Sequence, residues 1–180
     1  IKVFMGATIV TGKTEAEARE KFEDYRRYVS SEAALVHAAA SLGIDFAKYD
    51  LDEPIETAKS NAIVSNVEAV TRSAGPQWTK RKLLEQMVLG SRQAPMIGSA
   101  EQIADQLANW SREAGIDGFN LSRTVVPECF DDIIAHVVPI LQERGLYKTQ
   151  YTDGPLRQKL FGTPRLPARH VAAGFQQKAN

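Results

Sequence analysis

The chain has 180 residues, 43% of them hydrophobic and 24% charged, and its 22 basic and 22 acidic side chains give a formal net charge of zero. That composition fits a globular domain and argues against a disordered, collagen-like or coiled-coil chain. Its apolar runs, such as Val137 to Leu141, fall far short of the roughly 20 residues that a bilayer-spanning helix requires, so no membrane association is expected.

The start, Ile1-Lys2-Val3-Phe4, is neither an initiator Met nor a signal peptide, and a missing upstream portion is expected. The single cysteine, Cys129, cannot close an internal disulfide, which favours a reducing compartment and hence the cytoplasm. The N-x-S triplets at Asn109 and Asn120 fall inside a predicted helix and a predicted strand, so they are read as unglycosylated. Charge is unevenly placed. Residues Tyr151 to Asn180 carry five basic side chains against Asp153 alone, while the first 150 residues hold 17 basic and 21 acidic ones. Because Leu156, Leu160, Phe161, Leu166 and Pro167 are interspersed among these charges, the segment 151–180 reads as an arm lying on a protein surface, with no nucleic-acid partner.

In chain order, Ile1 to Val10 is apolar on both alternating faces, the pattern of a parallel strand covered by helices. Thr14 and Glu17 form an S/T-x-x-E capping box. From there Ala18, Phe22, Tyr25, Val29 and Ala33 line one face of a helix that Gly43 ends. Ile44 to Ile55 reads as a loop. Helices are predicted over Glu56 to Arg72 and Lys80 to Leu89, with Gly75-Pro76 as the turn between them, Thr79 opening the second and Gly90 closing it. Pro95 to Gly98 is a short extended piece, followed by a second capping box at Ser99 and Gln102. Ile103, Leu107, Trp110 and Ala114 then share a helical face ending at Gly115, and Asp117 to Ser122 forms a turn and short strand. A last helix, from about Glu128 to Arg144, buries Ile133, Ile134, Val137, Ile140 and Leu141 and is kinked by Pro139. This alternation is α/β and incomplete, since its outer strand edges lack partners.

Chemical motifs are sparse. Neither a G-x-G-x-x-G turn nor a P-loop occurs, and the histidines His37, His136 and His170 are too dispersed for a zinc site, so no metal is expected. Asp45, Asp50, Asp52, Glu53 and Glu56 crowd one segment without the spacing or glycine of an EF-hand, and read as a solvated acidic loop. His37, His136 and Cys129 read as packing or partly exposed residues, and Trp78 and Trp110 as core. From the residues alone no reaction follows, and no catalytic residue is assigned.

Several ordered stretches nevertheless carry a resemblance. They are Gly12-Lys13-Thr14-Glu15-Ala16-Glu17-Ala18; Leu42-Gly43-Ile44-Asp45-Phe46 with Tyr49-Asp50-Leu51-Asp52-Glu53-Pro54; and Gly98-Ser99-Ala100-Glu101-Gln102-Ile103-Ala104 followed by Asp117-Gly118-Phe119-Asn120-Leu121. Arg144-Gly145-Leu146-Tyr147, Leu156-Arg157, Leu160-Phe161-Gly162, Arg165-Leu166-Pro167 and His170 extend it through the arm. Together they resemble the nitrilotriacetate, dibenzothiophene-sulfone and pristinamycin monooxygenase family of bacterial-luciferase-like flavin enzymes. The resemblance implies the C-terminal part of a (β/α)8 TIM barrel, with Ile1 opening the seventh strand and Phe119 to Leu121 forming the eighth. It further implies a helical insertion over about 41–94 within a barrel portion 1–150, followed by a basic C-terminal arm, 151–180. On that view Pro95 to Gly98 is a connector and not a strand.

The same resemblance implies reduced FMN, supplied by a separate NAD(P)H-dependent flavin reductase and used with O2 to oxygenate a small organic substrate, nitrilotriacetate-like or organosulfur. It implies FMN phosphate contacts upstream of Ile1, a missing N-terminal barrel part as partner, and a homo-oligomer. Because barrel sites lie at the C-terminal strand ends, it points to Ile97 and Gly98 for cofactor contact, and to Met5, Ser41, Leu42, Asn120 and Leu121 for substrate contact. Ser41 stands where sulfone-oxidising relatives tend to have His, and Met5 where Pro is common. Each of these residues also has a plain packing reading, and a non-enzymatic α/β interaction module is the alternative from another class.

Overall fold

Three parallel strands, one from the start of the chain and two from beyond residue 95, form the sheet on which the main core is built. A computed structural model describes residues 1–55, 78–87, 89 and 94–175. The predicted helix Glu56 to Arg72, the Gly75-Pro76 turn and the Gly90 stop lie outside these residues. Among the described residues, no helix is long and apolar enough to cross a membrane.

The central strand β1, Phe4–Gly12, pairs in parallel on both sides. Its first half runs against β3, Gly118–Ser122, from Phe4 opposite Gly118 to Thr8 opposite Ser122. Its second half runs against β2, Met96–Ser99, from Ile9 opposite Met96 to Gly12 opposite Ser99. The piece around Pro95 to Gly98 is therefore a strand, and its reading as a mere connector is corrected. Four backbone positions of β2 pair with β1, and burial of Ile9, Val10 and Thr11 in that half of β1 demands that its peptide groups be satisfied. The strand also begins at Phe4 rather than Ile1. Before it, Val3 and Asp117 exchange main-chain and carboxylate hydrogen bonds, and Lys2 Nζ lies 2.7 Å from the Asp117 carboxylate, tying the start of the chain to the turn before β3.

Alternation then divides the sheet into two faces. Ala7 and Ile9 face the helix layer, where they pack with Ile103, Ala104 and Leu107 of helix α4, Ala100–Ala114, and with Ile133 and Val137; Met96, Phe119 and Leu121 join from the flanking strands. Gly6, Thr8, Val10, Ile97, Asn120 and Ser122 alternate onto the opposite face.

The helices mark their ends as their sequences direct. Helix α1, Glu15–Arg26, is capped by Thr14, whose hydroxyl accepts from the Glu17 amide, but the Glu17 carboxylate reaches back to the Lys13 amide rather than to Thr14 itself. The expected single helix to Gly43 is two: Ser30 caps a second one, α2, Ser31–Leu42, by accepting from the Ala33 amide. A serine hydroxyl at an N-cap competes with helix continuation, which breaks an apolar periodicity that otherwise runs through. Gly43 and Gly115, at φ 66° and 62°, end α2 and α4 in the left-handed conformation that glycine adopts without a Cβ penalty.

Helix α3, Lys80–Gln86, opens at Thr79 as expected. With α2 and the 3-10 turn Phe46–Lys48 it encloses a second apolar cluster of Ala38, Leu42, Ile44, Phe46, Ile55, Leu83 and Met87. The acidic residues of this segment have local roles: Asp45 caps the turn, Glu53 accepts from the Asp50 amide, and Asp52 holds Arg81 in a two-pronged pair at 2.7 and 2.8 Å.

Helix α4, Ala100–Ala114, carries the complete Ser99/Gln102 capping box. Trp110, expected in the core, is 47% exposed, because the buried stripe of α4 is Ala100, Ile103, Ala104 and Leu107. The last long helix is α5, Glu128–Asp132, a π turn Ile133–Val137, and α6, Val138–Glu143. The expected disturbance at Pro139 takes this form: a wider turn before it absorbs the bond that proline cannot donate to Ala135. The same turn rotates Ile134 to 64% exposure, so it is not a core residue as its spacing predicts. Beyond it the arm holds the short helix α7, Leu156–Phe161, and a 3-10 turn, Val171–Phe175, with Leu156, Val171 and Phe175 largely exposed.

Candidate functional site

Two adjoining grooves flank the C-terminal end of β3. The first, about 520 Å3, is walled by Asn120, Leu121, Ser122 and Arg123, with Leu89 and Phe130 closing its sides. The second, about 490 Å3, lies between the end of α1 and the start of α5, against Tyr25, Tyr28, Val29, Val125 and Glu128. Leu89 and Thr124 border both. The first groove opens where β3 stops level with Thr8, four residues before β1 ends.

The wall shared by α1 and α5 is held by ions. Lys21 places its ammonium 2.7 Å from Asp132, 3.7 Å from Glu128 and 3.9 Å from Glu17. Partial burial opposes its charge, yet the hydrogen bond to Asp132 and the surrounding carboxylates outweigh that and raise its pKa. Burial, and then the adjacent Glu128 carboxylate, push the Tyr25 phenol well above the ordinary tyrosine range, so it remains a protonated hydrogen-bond donor. This cluster escaped the sequence reading, which took Tyr25 only as part of an apolar face. The four-residue spacing of Glu17, Lys21 and Tyr25 was its available signal.

Past the C-terminal ends of β1 and β2, the starts of α1 and α4 are joined. Gln102 donates to the Glu15 carboxylate at 2.7 Å, and this bond, followed by the contact of Arg19, lowers the Glu15 pKa. Thr11 donates its hydroxyl to the Gly98 carbonyl at 3.0 Å, in a buried setting. A Cβ on Gly98 would stand 2.7 Å from the Gln102 amide oxygen and 3.1 Å from the Gln102 Cβ, so the capping side chain packs closely over Gly98.

The residues singled out for cofactor and substrate are thus dispersed. Asn120 and Leu121 line the first groove, although Leu121 also packs on the main core. Ile97, paired with Val10, shares Asn120's face of the sheet. Met5 lies at the N-terminal end of β1, on the face of Ala7 and Ile9. Leu42 is buried in the second cluster, beside the half-buried Ser41. Ser122, Arg123, Thr124, Leu89 and Phe130 complete the groove and were not anticipated.

Comparison with known proteins decides the relationship. Dimethyl-sulfide monooxygenase of Hyphomicrobium sulfonivorans is 35% identical across 98% of this chain, and long-chain alkane monooxygenase of Geobacillus thermodenitrificans (strain NG80-2) is 36% identical across 98%. The chain belongs to the luciferase-like monooxygenases. The fold agrees. The crystal structure of the Hyphomicrobium enzyme covers 97% of this luciferase-like chain with a TM-score of 0.78. A riboflavin lyase, solved with modified FMN and riboflavin, covers 99% at 29% identity with a TM-score of 0.85. The chain spans 37% of the length of the first relative and 36% of the second. No family model matches it.

Proposed function

We propose that this chain is the C-terminal part of a flavin-dependent monooxygenase, within a (β/α)8 barrel whose remaining strands precede Ile1. The observation that carries this reading is the identity of 35–36% across nearly the entire chain to two monooxygenases. Residues 1–150 would form the barrel portion, interrupted by the insertion at about 41–94, and 151–180 the arm that contacts another subunit. When bound, FMN in its reduced form, delivered by an NAD(P)H-dependent reductase, would supply the reaction with O2 that oxygenates the substrate.

The residues present fit one flank of such a site. Ile97 offers an apolar contact on the sheet face that also carries Asn120, whose amide can donate and accept. Gly98 supports that flank through the α4 cap, with its carbonyl taken by Thr11. The phosphate contacts are proposed to lie upstream. The apolar side chains of Leu89, Leu121 and Phe130 would exclude water from the substrate side, and Asn120 would orient a polar substrate group. Dimethyl sulfide, alkanes and nitrilotriacetate give their names to the relatives' activities; for this chain a small organic substrate, nitrilotriacetate-like or organosulfur, is proposed.

Gel filtration of the 180-residue chain with FMN tests the division of labour: the protein peak should carry no stoichiometric flavin absorbance, and one flavin per chain would overturn it. Oxygenation by the enzyme that includes the upstream part, dependent on reductase and O2, tests the activity. A second reading, an α/β interaction module, is favoured by the exposed Leu156, Val171 and Phe175. A start codon directly before Ile1 would support it over the enzyme.

A further inference from the structure

We propose that the groove at the end of β3 is an oxyanion-binding site, formed by Arg123 with Asn120 and Ser122. Nothing in the comparisons or in the resemblance assigns a ligand to Ser122 or Arg123. The inference deepens the monooxygenase reading and rests on it only for the role of the bound molecule, not for the binding itself.

Three observations converge. Arg123 is exposed on the groove wall and makes no hydrogen bond or ion pair with any described residue, whereas Arg19 and Arg144 hold Glu15 and Asp105. A guanidinium presents donors in a planar fork that matches a carboxylate or phosphate, and its charge roughly doubles the strength of each such bond. Asn120 and Ser122 alternate onto the same side of β3 and line the same groove, adding an amide and a hydroxyl donor. The acids of this region, Asp24 and Glu128, line the second groove instead, and Glu128 is engaged by Lys21 and Tyr25.

The adjoining groove tells what such an anion would carry. Across Leu89 and Thr124 the walls turn to Val29, Val125 and the rings of Tyr25 and Tyr28. Thr124, at the junction, buries a hydroxyl that has no hydrogen-bond partner among the described residues, a polar capacity left unused by the fold. A cationic, donor-rich compartment continuous with an apolar one fits an organic anion with a short hydrocarbon or thioether tail.

The test is a titration of the isotope-labelled 180-residue chain at constant ionic strength, followed by amide NMR shifts, with acetate, hexanoate and inorganic phosphate as probes. Hexanoate should give saturable shifts centred on residues 120–125 and bind more tightly than acetate. Arg123→Gln should weaken it about tenfold, the scale of one lost charged hydrogen-bonding group. Ser122→Ala should weaken it less. Unchanged shifts elsewhere in each variant verify the fold. Phosphate binding at the same amides as tightly as hexanoate would support the oxyanion site and identify a phosphate as the source. Shifts scattered over the basic arm, or an Arg123→Gln variant that binds as the parent does, would overturn it. Because no flavin enters the titration, its failure leaves the oxygenation assay standing, and failure of that assay leaves the binding result standing.

Discussion

The two apolar clusters are built on different principles. The main core joins strands and helices far apart in sequence: Ala7 and Ile9 meet Ile103 and Leu107 and then Ile133 and Val137. The second cluster draws on 38–55 and 83–87, and its ends are tied by the Ile55 amide to the Trp78 carbonyl at 2.8 Å, with Lys80 Nζ on the carbonyls of Phe46 and Tyr49 at 3.2 and 2.5 Å. A core of layered sheet and helix is held by burial across its whole area, whereas a small cluster of short helices depends on its tethers. The lesson concerns cooperativity. The first should fail globally and the second locally.

The largest effect separates them directly. Ile103→Ala, at a fully buried position, should cost about 4 kcal/mol and lower the denaturant midpoint of the entire chain. Ile55→Ala should cost about 3 kcal/mol. Its effect on hydrogen exchange should be confined to the amides of 31–55 and 78–87, and equal acceleration in β1 would break the distinction.

Next come the helix stops, one in each region. Gly43→Ala and Gly115→Ala should each cost about 1 kcal/mol, since both force a Cβ into the left-handed region. At Gly115 the space around a Cβ is open, so the backbone conformation alone sets the loss there, as thermal unfolding would record.

A smaller effect tests the tether. Arg81→Ala removes an exposed, solvent-screened two-pronged pair with Asp52 and should lower stability only slightly, seen as faster exchange near Ile55 and Trp78 and not in the sheet.

Acid and alkali give the smallest and most graded comparison. Asp52, through Arg81, and Asp117, through Lys2 and the Val3 amide, have lowered pKa values in the folded chain. Their contribution is present above the ordinary carboxylate value and is lost as pH falls through the lower folded one, so both regions should loosen below about pH 4. Lys21 has a raised pKa, and its contribution is complete below its ordinary value of 10.5 and lost as pH rises beyond the folded one. Alkali should therefore release the α1 to α5 wall first, which pH-dependent exchange at 21–25 and 128–132 would reveal.

Much of this architecture was legible because its signals are local. Thr14, Ser30, Thr79 and Ser99 place hydroxyls where helix amides need acceptors, and Gly43 and Gly115 supply the left-handed stops. Ser30 shows the limit, for its cap was available in the sequence but was overridden there by the run of Ala18, Phe22, Tyr25, Val29 and Ala33. Trp110 shows another. Helical spacing gives a face but not how far along it burial extends, and the buried stripe of α4 ends at Leu107, short of Trp110.

The sequence by itself determined the caps at Thr14, Thr79 and Ser99, the glycine stops at Gly43 and Gly115, the family resemblance and the contrast between an acidic body and a basic arm, since capping, periodicity and charge act within a few residues. Tertiary structure decided that Met96–Ser99 is a strand, that Lys21 and Tyr25 meet Glu128, and that Arg123, unpaired among the described residues, stands in a groove beside Asn120 and Ser122. Each of these depends on register between segments separated by tens of residues, and register is set by the packing of whole faces rather than by any residue's own preference.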